Sequence, residues 1–353
     1  MAGEFWQAVI AGRREVKLER VPVPEPADDE VLIKVAYCAV CTWEQRVYSG
    51  VFQTYPLAGG HEVSGVVQKA GAGVGHVRPG DKVIVSGLHR CGMCDNCRRG
   101  LSNLCVHAYS APAPEGRVPG PGGFGEYIVR KGEDVFRLAG HVPLAEAALG
   151  EPVACVVRSV KKAGVGPGDR VLVIGGGMMG LLHVQLLRGR AAAVVLSEPD
   201  PDRRAIALEM GADGVVDPSE PHFAHRVKQL VAGAGPTVVF VAVSVLEAVH
   251  QALSVAAPGG RVMMFASQPR GSAITVDPNL FHHKEVTLTG TVSQVPEDFH
   301  DAAALISSGK LDLAPFLTSF YPLTDIKAAL DEAVENQGKG AHFRVVVQAG
   351  SGE

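Results

Sequence analysis

Short apolar runs alternate with turn-forming residues along the first 140 residues of the chain. Such runs lie at residues 31–35, 63–67, 82–85 and 126–129. Runs of four or five residues rich in valine and isoleucine, bounded by glycine and proline, are typical of β-strands. The pattern therefore predicts an antiparallel, barrel-like β domain.

The apolar pattern changes its period between residues 155 and 290. Strand-like runs at 171–174, 194–197, 238–243 and 261–265 are separated by segments with helical periodicity, notably 178–188 and 202–210. Strands that alternate with helices are typical of a doubly wound parallel sheet. This part of the sequence predicts an α/β domain.

The last sixty residues contain two helical segments, 298–308 and 325–335, and a final apolar strand at 343–347. Such a strand can return to the first domain and pair with it. We expect residues 1–152 and 290–353 to form one domain and residues 153–289 to form the other.

The composition narrows the class of protein. The 353 residues are 46% hydrophobic and 20% charged, with a formal net charge of −4, which suits a globular protein of two domains and gives no field that attracts nucleic acid. The longest apolar runs are too short to cross a membrane. The chain starts without an apolar export segment, so a reducing cytoplasm is expected.

Four cysteines lie close together at Cys91, Cys94, Cys97 and Cys105. The spacing suits a tetrahedral thiolate shell around a structural zinc ion; buried thiols or disulfides are the alternatives, and the expected reducing compartment disfavours disulfides. A filled shell leaves no position for a substrate, so this zinc is not expected to catalyse. The neighbouring cations that could offset the thiolate charge are Arg90, Arg98 and Arg99.

A glycine-rich turn follows the run at 171–174 directly and precedes a helical segment. It contains Gly175, Gly177 and Gly180, with Met178 and Met179 between the last two. Glycines at this spacing permit a tight turn, close approach of the backbone to phosphates, and close packing of helix on strand. The turn predicts a dinucleotide-binding site at the N-terminus of the helix.

The next strand ends at Glu198, 18 residues after Gly180, where a carboxylate can accept hydrogen bonds from the adenosine ribose. A carboxylate about 4 Å from a ribose 2′-phosphate would repel it by roughly 4 kcal/mol at an effective dielectric constant of about 20, so NAD is favoured over NADP. Arg203 and Arg204 keep NADP open, because either could reach a 2′-phosphate.

A second set of potential metal ligands consists of Cys41, His61, Glu62 and Glu151. Taken alone, the cysteine and the histidine would be read as ordinary core residues. Together they offer a thiolate, an imidazole and carboxylates, and a shell that the protein does not fill leaves room for a substrate. Cys38 and Cys155 have no such partners and are interpreted as structural.

These motifs together resemble the zinc-dependent medium-chain dehydrogenase/reductase family, and its sorbitol and threonine dehydrogenase branch in particular. The resemblance extends over essentially the whole chain and includes the segment from Gly122 to Tyr127 and the pair Glu151-Pro152. It implies a GroES-like β-barrel catalytic domain, a Rossmann domain and a homodimer or homotetramer.

The resemblance also implies roles for individual residues. Cys41, His61 and Glu62 would be ligands of a catalytic zinc, and Glu151 would either ligate the metal or act through water at the metal. Arg344, in the last strand, lies at a position that can approach the cofactor in relatives; an exposed strand arginine is the alternative.

One segment departs from the family pattern. The family usually continues after its first zinc cysteine with a hydroxyl residue, an aspartate and a nearby histidine. This chain has Trp43 and Arg46 in place of the hydroxyl residue and the histidine, whereas Glu44 retains an acid in place of the aspartate. The familiar proton relay is therefore absent. Thr42, or water activated by a carboxylate of the site, would have to accept the proton, and Trp43 could line the substrate pocket or simply pack.

The sequence thus predicts hydride transfer between NAD and a secondary alcohol of a polyol, sugar, cyclitol or amino sugar. Zinc would bind the hydroxyl and lower its pKa, as it lowers that of water from about 15.7 to about 7. Two alternatives stay open: a simple alcohol dehydrogenase, and a catalytically silent NAD-binding regulatory protein.

Overall fold

The computed structural model describes residues 3–108 and 117–350. The chain forms two compact units, one of Met1–Ala154 with Gln294–Glu353 and the other of Cys155–Ser293. The boundaries expected from the sequence lie within four residues of these divisions.

The strands and helices are numbered separately in chain order. The strands are β1 (Glu4–Gly12), β2 (Glu15–Pro22), β3 (Glu30–Ala39), β4 (Glu62–Ala70), β5 (Lys82–Val85), β6 (Tyr127–Lys131), β7 (Val135–Arg137), β8 (Arg170–Ile174), β9 (Ala193–Ser197), β10 (Gly214–Val216), β11 (Val238–Val241), β12 (Arg261–Met264), β13 (Thr287–Gly290), β14 (Leu317–Pro322) and β15 (Arg344–Gln348). The helices are α1 (Thr42–Tyr48), α2 (Asp95–Arg98), α3 (Leu144–Ala147), α4 (Gly150–Ala163), α5 (Met178–Leu187), α6 (Pro201–Glu209), α7 (Phe223–Leu230), α8 (Leu246–Val255), α9 (Asn279–Lys284), α10 (Pro296–Ser307) and α11 (Ile326–Glu335).

The first unit is built on a seven-stranded sheet in the order β14-β15-β3-β4-β5-β7, with β6 also paired to β3. Apart from the parallel pair β14 and β15, its neighbouring strands are antiparallel. The expected return of the last strand occurs, since Val346 on β15 pairs with Ala39 on β3. β3 thus contacts three strands, and Val31, Ile33 and Val35 on it are completely buried. The β1–β2 hairpin forms a separate two-stranded sheet that the apolar pattern had not indicated.

The second unit contains a six-stranded, wholly parallel sheet in the order β10-β9-β8-β11-β12-β13. Numbered within the unit, this is the order 3-2-1-4-5-6 of a Rossmann fold, so the α/β prediction is confirmed. The strand order reverses between β8 and β11, which is where such sheets bind ligands at their carboxyl ends. The central strands are buried on both faces, and Val171, Leu172 and Phe240 have no exposed surface.

The helices of the last sixty residues begin and end close to the expected positions, and α10 and α11 are both present. Seven of the eleven helices in the described residues were not anticipated from the apolar pattern: α1, α2, α3, α4, α7, α8 and α9. No helix in the described part of the chain combines the length and the apolar character that crossing a bilayer requires.

Candidate active site and cofactor site

Three donor side chains meet in the first unit and form what we call the three-donor site: Cys41, His61 and Glu62. Their ligand atoms all lie within 4.8 Å of one another; Glu62 is buried and the other two are half-buried. Cys41 is the residue that caps the N-terminus of α1, and Glu62 is the first residue of β4. The sharp turn before β4 depends on Gly60, where φ is +92° and a Cβ would lie 2.6 Å from the Phe124 nitrogen.

His61 is held by a buried carboxylate. Its Nδ1 lies 2.7 Å from Oε1 of Glu44, and the same oxygen accepts a hydrogen bond of 2.9 Å from the Gly60 N–H. Glu44 lies on α1 and has no exposed surface. Because the carboxylate accepts a hydrogen bond from the Nδ1–H group, Nε2 is left as the nitrogen that can bind a metal. The ring of Trp43 packs edge-on against His61, with the ring centroids 6.1 Å apart.

Glu62 forms a bidentate ion pair with Arg344 on β15. Nε of Arg344 donates to Oε2 at 3.0 Å and Nη2 donates to Oε1 at 2.7 Å, and both residues are buried. Burial alone would lower the pKa of Arg344, but Glu62 and then Cys41 raise it above its usual value. Each carboxylate oxygen has a second lone pair, so the ion pair leaves Glu62 able to bind a cation.

The protonation of the site shows why a cation fits it. Desolvation, followed by the charge of Glu62, raises the pKa of the Cys41 thiol. Desolvation opposes protonation of His61, but Glu44 and Cys41 outweigh it and raise the pKa of the imidazole well above its usual value. A divalent cation would reverse both tendencies, since it favours the thiolate and the neutral imidazole. Thiolate, imidazole and carboxylate are the ligand types that zinc accepts.

Two further predicted residues lie outside this cluster. Glu151 is near the start of α4 and is not one of the three residues whose ligand atoms come together, although its charge contributes to the raised pKa of Arg344. Thr42 is the first residue of α1, directly after Cys41. Ligation by Glu151 and a catalytic role of Thr42 stay predictions.

A second group of donors, the four-cysteine site, consists of Cys91, Cys94, Cys97 and Cys105, whose sulfur atoms all lie within 4.8 Å of one another. Backbone N–H groups point at these sulfurs: Cys94 donates to the sulfur of Cys91 at 3.3 Å, and His107 donates to that of Cys105 at 3.4 Å. The backbone of Cys97 and of Val106 lowers the pKa of the Cys94 thiol to about 6. Four convergent sulfurs with thiolate-stabilising donors fit a tetrahedral zinc ion.

The glycine turn of the second unit has the conformation that the sequence predicted. Gly175 follows β8 with φ +108°, and Gly177 caps the N-terminus of α5. A Cβ on Gly180 would lie 1.8 Å from the Gly175 oxygen, so only glycine fits there. Among the residues described, apart from its chain neighbours and its own helix, none has an atom within 4 Å of a Cβ placed on Gly177, which leaves that backbone open to a phosphate.

Glu198, at the end of β9, stabilises this turn through hydrogen bonds. Its Oε2 accepts from the Gly176 N–H at 2.6 Å and its Oε1 accepts from the Asp200 N–H at 3.1 Å. Arg204 donates to the backbone oxygen of Glu198 at 2.7 Å and contacts Asp217 at 3.1 Å. Arg203 is 9% exposed. Arg204 is thus held by neighbouring groups, a placement that the sequence alone did not indicate.

Comparison with known proteins places the chain in a family. Residues 27–143 match the family described as "Alcohol dehydrogenase GroES-like domain", and residues 179–308 match "Zinc-binding dehydrogenase". The chain is 33% identical to 2-dehydro-3-deoxy-L-galactonate 5-dehydrogenase of Pseudoalteromonas atlantica, over 86% of this chain and 88% of the relative. It is 32% identical to L-threonine 3-dehydrogenase of Pyrococcus horikoshii, over 94% of each. The chain belongs to the zinc-dependent medium-chain dehydrogenase family.

Solved structures of such dehydrogenases share the whole fold. A protein described as a zinc-binding dehydrogenase from Sinorhizobium meliloti, bound to NADP, superimposes with a TM-score of 0.87 at 28% identity, covering 98% of this chain and 99% of the other. The chain described here is therefore an oxidoreductase that contains a GroES-like unit and a Rossmann unit. The family and fold predicted from the motifs are confirmed.

Two contacts of this dehydrogenase were not predicted from its sequence. The spacing of the motifs gave no indication that Arg344 pairs with Glu62, because 282 residues separate them. The approach of Arg344 to a cofactor stays a prediction. The acid at position 44 was noted as a family feature, and its contact with His61 appears only in the fold.

Proposed function

We propose that the protein oxidises a secondary alcohol of a polyol, sugar, cyclitol or amino sugar with NAD, in a reaction that requires zinc. Residues 1–152 and 290–353 would hold the metal and the alcohol, and residues 153–289 would hold NAD. The observation that carries the proposal is the three-donor site, because three protein ligands of mixed type are the arrangement of a catalytic zinc rather than a structural one.

The chain's own residues orient this site. His61 presents Nε2 because Glu44 occupies Nδ1, and Glu62 presents its outer lone pairs because Arg344 holds its carboxylate in one plane. When bound, zinc supplies Lewis-acid polarisation of the substrate hydroxyl and lowers its pKa. The four-cysteine site would hold a second zinc ion with a structural role.

The reaction removes a proton and a hydride from the alcohol. Thr42, or water activated by Glu62 or Glu151, would accept the hydroxyl proton, and NAD held by the second unit would supply the acceptor for the hydride of the carbinol carbon, so the products would be a ketone or aldehyde, NADH and a proton. Trp43 and Arg46 stand where the family usually places its relay groups, so the proton follows a route specific to this chain.

The substrate class rests on the metal ligands and on the relatives. A glutamate beside the zinc histidine accompanies polyol-type substrates in the branch that the chain resembles. Relatives similar to this chain are named for a sugar acid, for threonine and, at 30% identity, for D-arabitol phosphate (Enterococcus avium). All of these substrates carry a secondary hydroxyl beside other polar groups.

The preference for NAD rests on Glu198. Its carboxylate is fixed beside Gly176 at the end of β9, where a 2′-phosphate would meet a negative charge, and Arg204 is engaged with Asp217. We expect kcat/KM to be higher with NAD than with NADP. Glu198→Ala should reduce the ratio of kcat/KM with NAD to kcat/KM with NADP. An unchanged ratio in this variant would remove the argument for NAD.

The experiment that tests the function is NADH formation by zinc-loaded protein across polyols, cyclitols, sugar acids, amino sugars and simple alcohols. Turnover of a polyhydroxylated substrate supports the proposal, and turnover confined to short unbranched alcohols would favour the simple alcohol dehydrogenase. One zinc ion per chain and NAD binding without any turnover would favour the silent regulatory protein, whose three-donor site would hold no metal.

We also propose that the protein is a homo-oligomer, a dimer or tetramer, in the cytoplasm. β13 is an edge strand of the six-stranded sheet, and Phe281 on the preceding helix is 40% exposed, so this edge can pair with a second copy. The seven cysteines all lie in the described residues and form no disulfide, which fits a reducing compartment. Light scattering would give the mass, and a monomer would contradict the oligomer; fractionation would test the compartment.

A further inference from the structure

Two arginines of the first unit, which we call the arginine pair, interact with each other and lack an acidic partner: Arg117 and Arg130. Burial, together with the charge of Arg117, lowers the pKa of Arg130 to about 10. Burial also lowers the pKa of Arg117. Among the described residues no carboxylate offsets either charge. By contrast, the buried Arg344 is paired with Glu62.

The arginine pair is unfavourable for the protein on its own. Two positive charges repel each other more strongly where water is excluded, and a desolvated cation without a counterion is destabilising. In addition, Nε of Arg130 is inaccessible to solvent and has no hydrogen-bond partner in the part of the chain that the structure describes. Guanidinium groups are compensated by carboxylate and phosphate oxygens, so the pair indicates an anionic ligand.

Both guanidinium groups are attached to the same stretch of backbone. Nη2 of Arg130, on β6, donates to the oxygen of Pro121. Nη2 of Arg117 donates to Oε1 of Gln7 at 3.4 Å, and Nε2 of Gln7 donates to the oxygen of Gly122 at 3.2 Å. Because Pro121 and Gly122 are consecutive, these contacts place the two arginines on one segment.

Arg117 is the member of the pair that can contact a ligand directly. It is half-buried, and its guanidinium lies over the ring of Phe5, 5.2 Å from the centroid, which restricts its orientation. Only one of its five N–H groups is used, in the contact with Gln7, among the described residues. The other N–H groups can form the paired hydrogen bonds that a carboxylate or phosphate accepts.

The segment that holds the pair is also bonded to the three-donor site. The Gly123 N–H donates to the oxygen of Gly60, the residue before His61, at 2.9 Å. A Cβ placed on Gly87 would lie 2.9 Å from the Cβ of His61 and 3.6 Å from that of Pro121. The residue whose oxygen Arg130 binds therefore lies close to a donor of the three-donor site.

We propose that the arginine pair binds an anionic group of the substrate, a carboxylate or a phosphate. This assignment rests on the proposed function and narrows its substrate to a sugar acid or to the phosphate of a sugar or polyol. Arg117 forms the direct hydrogen bonds, and Arg130 supplies a second positive charge that the protein leaves uncompensated. An anion held there, with a secondary hydroxyl at the three-donor site, determines which hydroxyl is oxidised.

The first test compares substrates that differ in charge. The value of kcat/KM of the zinc-loaded protein is measured with pentitols and hexitols, with the matching aldonates and with the matching polyol phosphates. An acidic substrate should exceed the neutral polyol of the same configuration by about 10- to 100-fold. Preference for neutral polyols over both kinds of acid would overturn the inference and leave the proposed dehydrogenase intact.

Substitution of Arg117 tests the contact itself. Arg117→Gln should lower kcat/KM about 10- to 100-fold for the acidic substrate, mainly through KM, and far less for the neutral polyol, because the anion is bound before and during the reaction. Arg117→Lys should lose less, since it keeps the charge without the paired donors. Equal losses with acidic and neutral substrates would indicate a purely structural role and overturn the assignment.

Arg20→Gln is the matched control for this change. Arg20 also lies over an aromatic ring, that of Trp6 at 5.0 Å, but it is paired with Glu4. The preference for acidic over neutral substrates should be unchanged in this variant. Thermal unfolding without ligand shows whether each variant is folded, and Arg117→Lys keeps the test valid if Arg117→Gln fails to fold.

The second test measures binding of inorganic phosphate by calorimetry and its inhibition of turnover. Phosphate should compete with the acidic substrate, and its dissociation constant should rise about tenfold in Arg117→Gln. Phosphate that binds through Arg117 without competing would identify a separate anion site and overturn the assignment to the substrate. Binding through Arg117 by a protein that oxidises no alcohol would overturn the proposed function together with this inference.

Discussion

The two donor groups of the first unit are assembled in opposite ways. The four-cysteine site uses ligands within a fifteen-residue segment, beside exposed side chains such as Met93, 81% exposed, and Val106, 69% exposed. The three-donor site is set in the interior and depends on Arg344, 282 residues away from Glu62. A closed thiolate shell can be made by a local loop, whereas a shell that must admit a substrate takes its geometry from the surrounding fold.

The charges of the two groups are also balanced differently. Backbone N–H groups and Arg90, whose side chain is 5% exposed and pairs with Asp134, stabilise the four sulfurs. The three-donor site is stabilised by the hydrogen bond between His61 and Glu44 and by the ion pair between Arg344 and Glu62. Changes in the three-donor site should therefore alter activity, and changes in the four-cysteine site should alter metal retention and stability.

The largest expected effect comes from Cys41→Ser. Loss of the thiolate should remove one zinc ion per chain and reduce NADH formation to background, because no other group in the described site offers a thiolate. Circular dichroism should be unchanged and the zinc of the four-cysteine site retained. Metal analysis and the substrate assay measure both quantities.

Cys155→Ser is the matched control for this change, because Cys155 lies outside both donor groups. It should keep two zinc ions and full activity. Full activity in Cys41→Ser would refute the assignment of the catalytic site, and loss of both zinc ions would show that the two sites are not independent.

Arg344→Gln should give the next largest effect. Removing the guanidinium leaves Glu62 buried and uncompensated, which should lower the free energy of unfolding by about 3–5 kcal/mol in urea denaturation. The double variant Arg344→Gln/Glu62→Gln should recover part of that stability and stay inactive. A single variant as stable as the unaltered protein would show that the pair is dispensable for folding.

The Arg344–Glu62 pair also marks how far the sequence predicts this molecule. Local signals were sufficient for the four cysteines, the glycine turn, and the parallel sheet, because each is encoded by a short spacing or a regular period. Spacing cannot indicate a contact made when the last strand returns to β3, since that contact depends on the assembled sheet. The β1–β2 hairpin was missed because β1 has four consecutive buried residues and β2 has none that is fully buried, so neither strand shows an alternation of buried apolar and exposed polar residues.

In the candidate site, too, some features could be predicted from the sequence and others could not. The residue types of Cys41, His61 and Glu62 were readable from family motifs, and the fold brings their ligand atoms together. The orientation of His61 was not readable, because it depends on a side-chain carboxylate 17 residues earlier that lies on a short helix the apolar pattern did not predict. Sequence reasoning therefore identified ligands more readily than the groups that position them.

Glu44→Gln tests one of those positioning groups and should have a smaller effect. The amide can still accept the Gly60 N–H, but it holds the Nδ1 proton of His61 less strongly than a carboxylate, so metal affinity or kcat/KM should fall about 10- to 100-fold. Excess zinc should restore part of the activity if affinity is the quantity lost. Glu44→Gln with unaltered zinc affinity and kcat/KM would mean that α1 positions His61 by packing alone.

The smallest effect on activity is expected from substitution of the arginines beside the four-cysteine site. Arg90 is buried and donates to Ser86 at 3.2 Å as well as pairing with Asp134, whereas Arg99 is 63% exposed and pairs with the exposed Asp95 at 3.3 Å. Arg90→Gln should weaken zinc retention in the four-cysteine site about 10- to 100-fold, since it removes a positive charge that interacts electrostatically with Cys97 and Cys105, and should leave turnover of zinc-loaded protein nearly unchanged. Arg99→Gln should change stability by no more than about 0.5 kcal/mol and leave zinc release to a chelator unaltered. Equal rates of zinc release in the two variants would show that the four-cysteine site holds its metal through the thiolates and backbone alone. That site would then depend only on its local segment, whereas the three-donor site depends on distant parts of the fold.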